Sequence, residues 1–480
     1  MLKNKLLLIS ITLILISVTF LTVSVEAENG NIKYDQFHAQ FEQDLKELVD
    51  FYNIPGAAVA LISGNQLTWT GHFGYADLAE NRPVTAQTLF RAESITKSMT
   101  ARLIMTLIET GEITLDDPVA QYLTRWEFPE SSYNHEEVTI RRLLNHSAGI
   151  TGGSDYLHPG AKVHPIEEVL AGEHGLHRAE LVREPGSAFE YSNQGFMLLE
   201  MLVEELTDQD YESYFNQNIL EPAGVDGYFS VDEQVKSRLA TSYHVDGEPV
   251  PHYVDNFKGA GGLLITAEDL ARLIAEGSHP ELYDSNVEPT GFYGLGADIS
   301  ALGHFIEYHN GEKDNEKAVF HGGEGTGSLG KYYIFPERGE GIVVLTNSKA
   351  SWPFLFEVLN QWTELKDLPQ PEMAGLFFNI VTGLNILLAL IILAALIILT
   401  KITKGLILKE KCFKLKALKN KKNLLLIISV IAIMAAWWYL GDVVVTNLLP
   451  VRYNRLGIGL GFLSLILILK ACISDIKRSE

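Results

Sequence analysis

Apolar residues recur along this chain with two different periods. Between residues 33 and 52, Phe37, Phe41, Leu45, Leu48 and Tyr52 fall at helical spacing and predict an amphipathic opening helix. Gly56 to Ile62 and Leu67 to Phe73 read as two β-runs joined through Ser63-Gly64-Asn65-Gln66, a hairpin signal. Near residue 340 the pattern returns: Lys331 to Phe335 and Gly341 to Asn347 flank Pro336-Glu337-Arg338-Gly339-Glu340, and a helix is expected from about Ser351 to Glu364. Between these ends the sequence is rich in helical periodicity. One case is Ile95, Met99, Leu103, Leu107 and Ile108, which follow the run Thr88 to Ala92 and stop at Gly111. Together the patterns predict a sheet completed by both ends of the domain, with the central portion inserted between them.

Longer apolar runs lie elsewhere. Residues 6–25 follow a basic start, Met1-Leu2-Lys3-Asn4-Lys5, and precede Val25-Glu26-Ala27, so residues 1–27 read as a secretory signal or an uncleaved anchor. Three more runs, near 374–400, 424–445 and 456–473, are expected to be transmembrane helices, the third marginal in length. Nine lysines against one glutamate separate the first two, which places that loop in the cytoplasm and leaves residues 28–372 outside. The expected organisation is a leader (1–27), an extracytoplasmic domain (28–372) and a multi-pass membrane domain (373–480). Anchoring is the expected role of the membrane helices.

Charge sharpens this division. Residues 373–480 hold 14 Lys and Arg against four acids, whereas 28–372 carry 22 basic and 55 acidic side chains, a net charge of −33. Such a surface repels phosphate backbones, so nucleic acid is set aside as a partner. Cys412 and Cys472 are the only cysteines, so the outer segment has neither a disulfide nor a thiol nucleophile. His158, His164, His174 and His177 crowd one Gly- and Pro-punctuated region without a ligand motif. They are read as loop histidines, and neither metal nor cofactor is expected.

Ser94 stands at the start of the helix that begins near Ile95, and Lys97 lies one turn on, on the same face. A serine hydroxyl needs a neighbouring base to become a nucleophile, and a desolvated lysine can be neutral enough to serve. The spacing alone also fits an N-cap serine beside a solvated lysine. Two later stretches change the reading: Tyr191-Ser192-Asn193 and His321-Gly322-Gly323. This ordered set resembles the penicillin-recognising serine hydrolases, in the branch of class C β-lactamases, D-alanyl-D-alanine carboxypeptidases and esterases. Ile54-Pro55-Gly56-Ala57-Ala58-Val59, Arg142 to Ile150 and Gly261 to Leu270 are similar to further segments of that family, so the likeness covers roughly residues 35–365.

The resemblance implies a mixed α/β (α+β) fold: a β-lactamase/transpeptidase-like domain with an antiparallel sheet flanked by helices and a helical insertion. It implies that Ser94 is acylated, that Lys97 assists its deprotonation, and that Tyr191 shuttles the proton. Asn193 would bond the substrate and Lys97, and His146 would support the site. The backbone N–H groups of Ser94 and Glu324, the latter just past Gly323, would form the oxyanion hole. Where several relatives carry K-T-G, this chain has His321-Gly322-Gly323. His321 is expected to be partly charged near neutral pH, and Glu324 to add negative charge nearby, so a carboxylate would be held weakly and an efficient β-lactamase is not expected. The expected substrate is a D-alanyl peptide or ester of the cell envelope. A general small-ester hydrolase, or a catalytically weak binding or regulatory module, remain alternatives.

Overall fold

In a computed structural model the described residues are 34–153, 156–157, 161–277, 279–309, 316–408, 411–413, 421–440 and 450–475. The leader (1–27) and His158 lie outside them. The chain divides into two units, residues 1–41 and 42–480. Helix α1 is Tyr34–Tyr52, as the spacing of its apolar residues predicts.

The strands of the main sheet are β1 (Gly56–Ser63), β2 (Gln66–Asp77), β3 (Arg82–Pro83), β4 (Ile299–Ser300), β5 (Phe305–Tyr308), β6 (Lys317–Glu324), β7 (Leu329–Phe335) and β8 (Glu340–Thr346). Their order is β3-β2-β1-β8-β7-β6-β5-β4, and the pairings between successive strands are antiparallel. Chain ends therefore meet in the middle: β1 pairs with β8, in the register Ala57↔Thr346 to Ile62↔Gly341. Being central, β1 is covered on both faces, which is why it reads as an unbroken apolar run rather than an alternation. The β1–β2 turn has Gly64 and Asn65 both at positive φ, 60° and 58°, a combination whose twist matches that of the paired strands.

Alternation along β7 sorts the two faces. Tyr332 joins the large core shared with α2 (Thr96–Glu109), α3 (Asn193–Thr207) and α4 (Ala267–Ala275), and its hydroxyl lies 2.9 Å from Ser98 Oγ. Phe335 points the other way, toward Trp362 of α5 (Trp352–Leu365), with ring centroids 6.1 Å apart. The expected helical insertion is the stretch between β3 and β4. A short sheet inside it pairs Phe90–Arg91 and Gly227–Tyr228 with Leu264–Ile265.

The expectation of three spanning helices is corrected. Among the described residues one helix is long and apolar enough to cross a membrane, α6, Glu372–Ile407, with 36 residues. Helix α7 is Lys421–Leu440, and residues 441–445 of the expected second span lie outside the described ones. The apolar part of α8 (Pro450–Ala471) runs only from Leu456 to Ala471. At 1.5 Å per residue that is about 24 Å, short of a ~30 Å hydrocarbon core. Ala395 and Ile402 of α6 pack with Ile466 of α8, and both cysteines are free thiols.

Candidate active site

The site begins with a strained residue. After Phe90–Arg91 the chain enters a single 3-10 turn, Glu93–Ile95, that runs directly into α2. Glu93 has φ 50°, a left-handed conformation that is unfavourable by about 1–3 kcal/mol for a residue with a Cβ. Its buried carboxylate holds it there: Oε1 accepts hydrogen bonds from the Tyr253 hydroxyl (2.5 Å) and Ser328 Oγ (2.6 Å). Ser94, the next residue, lines a cavity of about 670 Å³ together with Tyr191, Asn193 and His321. None of Glu93, Tyr253 and Ser328 carries a sequence motif, and sequence reasoning missed all three.

Lys97 follows on the first turn of α2. Its side chain is fully buried, with Nζ 3.1 Å from Ser94 Oγ and donating to Ala260 O at 2.6 Å. Burial pulls its pKa down to about 7, opposed by the Glu93 carboxylate. A neutral amine can keep one N–H on Ala260 O and turn its lone pair to the serine hydroxyl. Ala260 belongs to a turn whose Gly259 N–H donates to Glu200 Oε2 at 2.8 Å. Glu200 on α3 is itself buried, which raises its pKa to about 8.

The Tyr191-Ser192-Asn193 segment owes its shape to the N-terminus of α3. Ser192 is the N-cap: its Oγ accepts from Gly195 N–H at 3.0 Å and donates to Thr151 O at 2.5 Å. His146 supports it, as expected, by accepting the Ser192 N–H at Nδ1 (3.2 Å) and laying its ring 4.3 Å from that of Tyr191. Burial keeps His146 neutral, its pKa well below the usual value, as an acceptor at Nδ1 requires. Tyr191 also stacks on Tyr293 at 4.8 Å, and Lys97 Nζ lies 5.0 Å from the Tyr191 ring centroid. Asn193 Nδ2 donates to Gly153 O at 2.6 Å.

Strand β6 forms the opposite wall and approaches the nucleophile turn closely. A Cβ on Gly323 would lie 2.1 Å from Ala92 O, so only glycine fits there. His321 departs from expectation. It is buried beside Phe305 and Tyr191, and burial together with the Lys97 charge pulls its pKa down to about 3. Its Nδ1 lies 2.7 Å from Gly322 O. A carbonyl only accepts, so Nδ1 holds the proton and Nε2 presents a lone pair. The expected partly charged clamp is therefore a neutral acceptor. Glu324 also differs: its exposed carboxylate is paired with Lys349, which offsets the negative field expected of it. Lys349 and Lys331 both line the cavity, two cations that sequence reasoning did not single out.

Among the described residues one group could hold a metal, His164, Glu168 and His174. His174 Nε2 lies 2.9 Å and His164 Nδ1 3.5 Å from the same Glu168 Oε2. Two of the four loop histidines are thus gathered on one carboxylate, while His177 packs beside Gly153.

Comparison with known proteins agrees with this geometry. The beta-lactamase family model matches residues 41–358. The protein flp of Staphylococcus aureus is 25% identical over 351 residues, which are 69% of this chain and 66% of that protein, just under two thirds of its length. The octameric penicillin-binding protein homologue from Pyrococcus abyssi superposes with a TM-score of 0.59 at 27% identity, over 72% of this chain and 81% of that one. D-amino acid amidase from Ochrobactrum anthropi, at 23% identity and a TM-score of 0.54 over 65% and 92%, shares the fold. A serine and a buried lysine one helical turn apart, faced by Tyr-Ser-Asn and His-Gly-Gly across one cavity, within a family match that spans most of the domain, lead to one conclusion: the chain belongs to the beta-lactamase family of serine hydrolases.

Proposed function

We propose that this chain is a membrane-anchored extracytoplasmic serine hydrolase that works through an acyl-enzyme on Ser94. The observation that carries the reading is the fully buried Lys97 amine, 3.1 Å from Ser94 Oγ, with a pKa near 7. Lys97 Nζ takes the hydroxyl proton as Oγ bonds to the acyl carbon. The tetrahedral oxyanion is received by the N–H groups of Ser94 and Glu324. Tyr191 passes the proton to the leaving group as its bond to the acyl carbon breaks, and then activates the water that releases the acid. Anchoring is supported by α6, whose exposed apolar surface is followed by Lys401 and Lys404.

D-alanyl peptides or esters of the cell envelope are the substrate class we favour, by likeness to a penicillin-binding protein homologue. With Lys349 already paired to Glu324 and Lys331 buried over the Phe320 ring, two observations favour esters over carboxylate-terminated peptides. His321 is a neutral acceptor, and much of the cavity wall is aromatic, with Phe292, Tyr293, Phe305 and Phe320. The test is to incubate the full chain with a serine-reactive acylating probe, with Ser94→Ala as control. One Ser94-dependent adduct per chain is expected, and its absence would remove the enzyme reading. Turnover of D-alanyl esters, D-alanyl peptides and a β-lactam would then rank the substrates, with esters expected first.

A further inference from the structure

The first turn of α6 is built into the wall of the Ser94 cavity. Met373 lines that cavity, and a Cβ on Gly296 opposite would meet Met373 Cγ at 2.1 Å, so the methionine fills a slot only glycine leaves open. The helix start is pinned. Glu372 N–H donates to Glu307 Oε1 at 2.7 Å, and Glu307 Oε2 accepts from the Tyr333 hydroxyl at 2.8 Å. Ala374, Phe377 and Val381 pack on Phe356 of α5, and Phe377 and Phe356 have centroids 5.4 Å apart. Only residues 366–371 join the two helices, and Pro369 and Pro371 stiffen them. So α6 is fixed to the domain rather than a loose tether.

Counting along α6 locates the cavity. A bilayer core takes about 20 helical residues, and Lys401 and Lys404 mark its far end. The near boundary then falls close to Leu384, after which Ile386, Leu387 and Leu390 are exposed. Met373 is 11 residues earlier, which is about 16 Å along the helix axis, or slightly less if the helix tilts. Around it the rim is apolar. Phe292 of the same wall is 44% exposed and Leu295, next to Gly296, 50%, and Leu376 and Ile380, further along α6, are exposed as well.

We propose that the cavity opens at the membrane surface and takes an acyl ester borne on the headgroup of a membrane-anchored amphiphile, with Met373 forming the lipid-side wall. This rests on the hydrolase and anchoring readings above. The acyl unit must project roughly 16 Å from the hydrocarbon, the height of Met373.

The test uses the full chain in nanodiscs and two probes. One is a D-alanyl ester attached through a short oligo(ethylene glycol) spacer to a diacyl lipid; the other is the same ester and spacer without lipid. A second variant carries seven extra helical residues after Thr382, which keeps the helix face and lifts the domain by about 10 Å. The wild type is expected to favour the lipid-borne ester by tenfold or more in kcat/KM. The insertion should remove most of that preference while leaving turnover of the soluble ester within twofold. Equal rates on both esters, or a preference untouched by the insertion, would overturn the inference while leaving the hydrolase reading standing. Absence of Ser94 labelling, or recovery of the chain outside the membrane fraction, would instead remove the reading on which it rests.

Discussion

At the scale of single residues the site depends on charges that burial suppresses. Lys97 must be neutral to accept the Ser94 proton, and its pKa near 7 makes that form the minority below neutrality. Acylation of Ser94 should therefore rise about tenfold per pH unit below 7 and level off above it, measured as the rate of probe labelling. Lys97→Arg, permanently charged, should slow labelling by about 10²–10⁴-fold. His321 makes the opposite prediction. With its pKa near 3, carboxylate-bearing substrates should gain nothing as pH falls from about 8 to 5; a gain would show that the ring charges on binding. Glu200 tests linkage. Its folded pKa, about 8, lies above the usual 4.5, so the unfolded state ionises first and stability is lost as pH rises between those values. Glu200→Gln keeps an acceptor for Gly259 N–H without that liability. Its melting temperature should thus gain on the wild type progressively from pH 4.5 to 8. A constant offset across that range would mean that Glu200 is ionised in the fold.

At the scale of elements, what was legible in the sequence is what is local. Ser94 and Lys97 share a helix face because they are three residues apart, and Ser192 caps α3 because its hydroxyl reaches Gly195 N–H within one turn. The β1–β2 hairpin and the β7–β8 pair are equally local, fixed by alternation and turn residues. What could not be read depends on elements far apart in sequence. The neutrality of His321 comes from Phe305 on β5, Tyr191 in the loop before α3 and Lys97 on α2. The left-handed Glu93 is held by Tyr253 and Ser328, and Lys349 reaches back to Glu324 from beyond β8. The tight contact between β6 and the nucleophile turn is of the same kind, and it can be tested by one methyl group. Gly323→Ala would press a Cβ onto Ala92 O, where backbone cannot yield cheaply. It should destabilise the fold by about 1–3 kcal/mol and, if the Glu324 N–H serves the oxyanion as proposed, lower acylation even in the molecules that remain folded. Thermal melts and single-turnover labelling on the same sample separate the two effects.

At the scale of the whole molecule, the sheet sets the order in which the chain can be cut. Residues 56–83 and 299–346 make one sheet around a helical insertion, and β8, the last of its strands to be synthesised, lies between β1 and β7. Both neighbours hydrogen-bond to it along most of its length. A chain ending at Phe335 would keep Ser94, Lys97, Tyr191, Asn193 and His321 yet leave two buried strand edges unpaired, an arrangement prone to misassembly. It should show no cooperative melt and no Ser94 labelling. A chain ending at Gln370 keeps β8 and α5, in which Trp362 and Phe354 are fully buried, and loses the helix that carries Met373. It should melt cooperatively and label with a soluble probe, at a lower melting temperature because Phe356 loses Phe377 and Glu307 loses the Glu372 N–H. Circular dichroism melts and probe labelling of the two truncations decide the matter. Labelling of the shorter chain would mean that the nucleophile turn is organised by the helical insertion alone, without the closing strand.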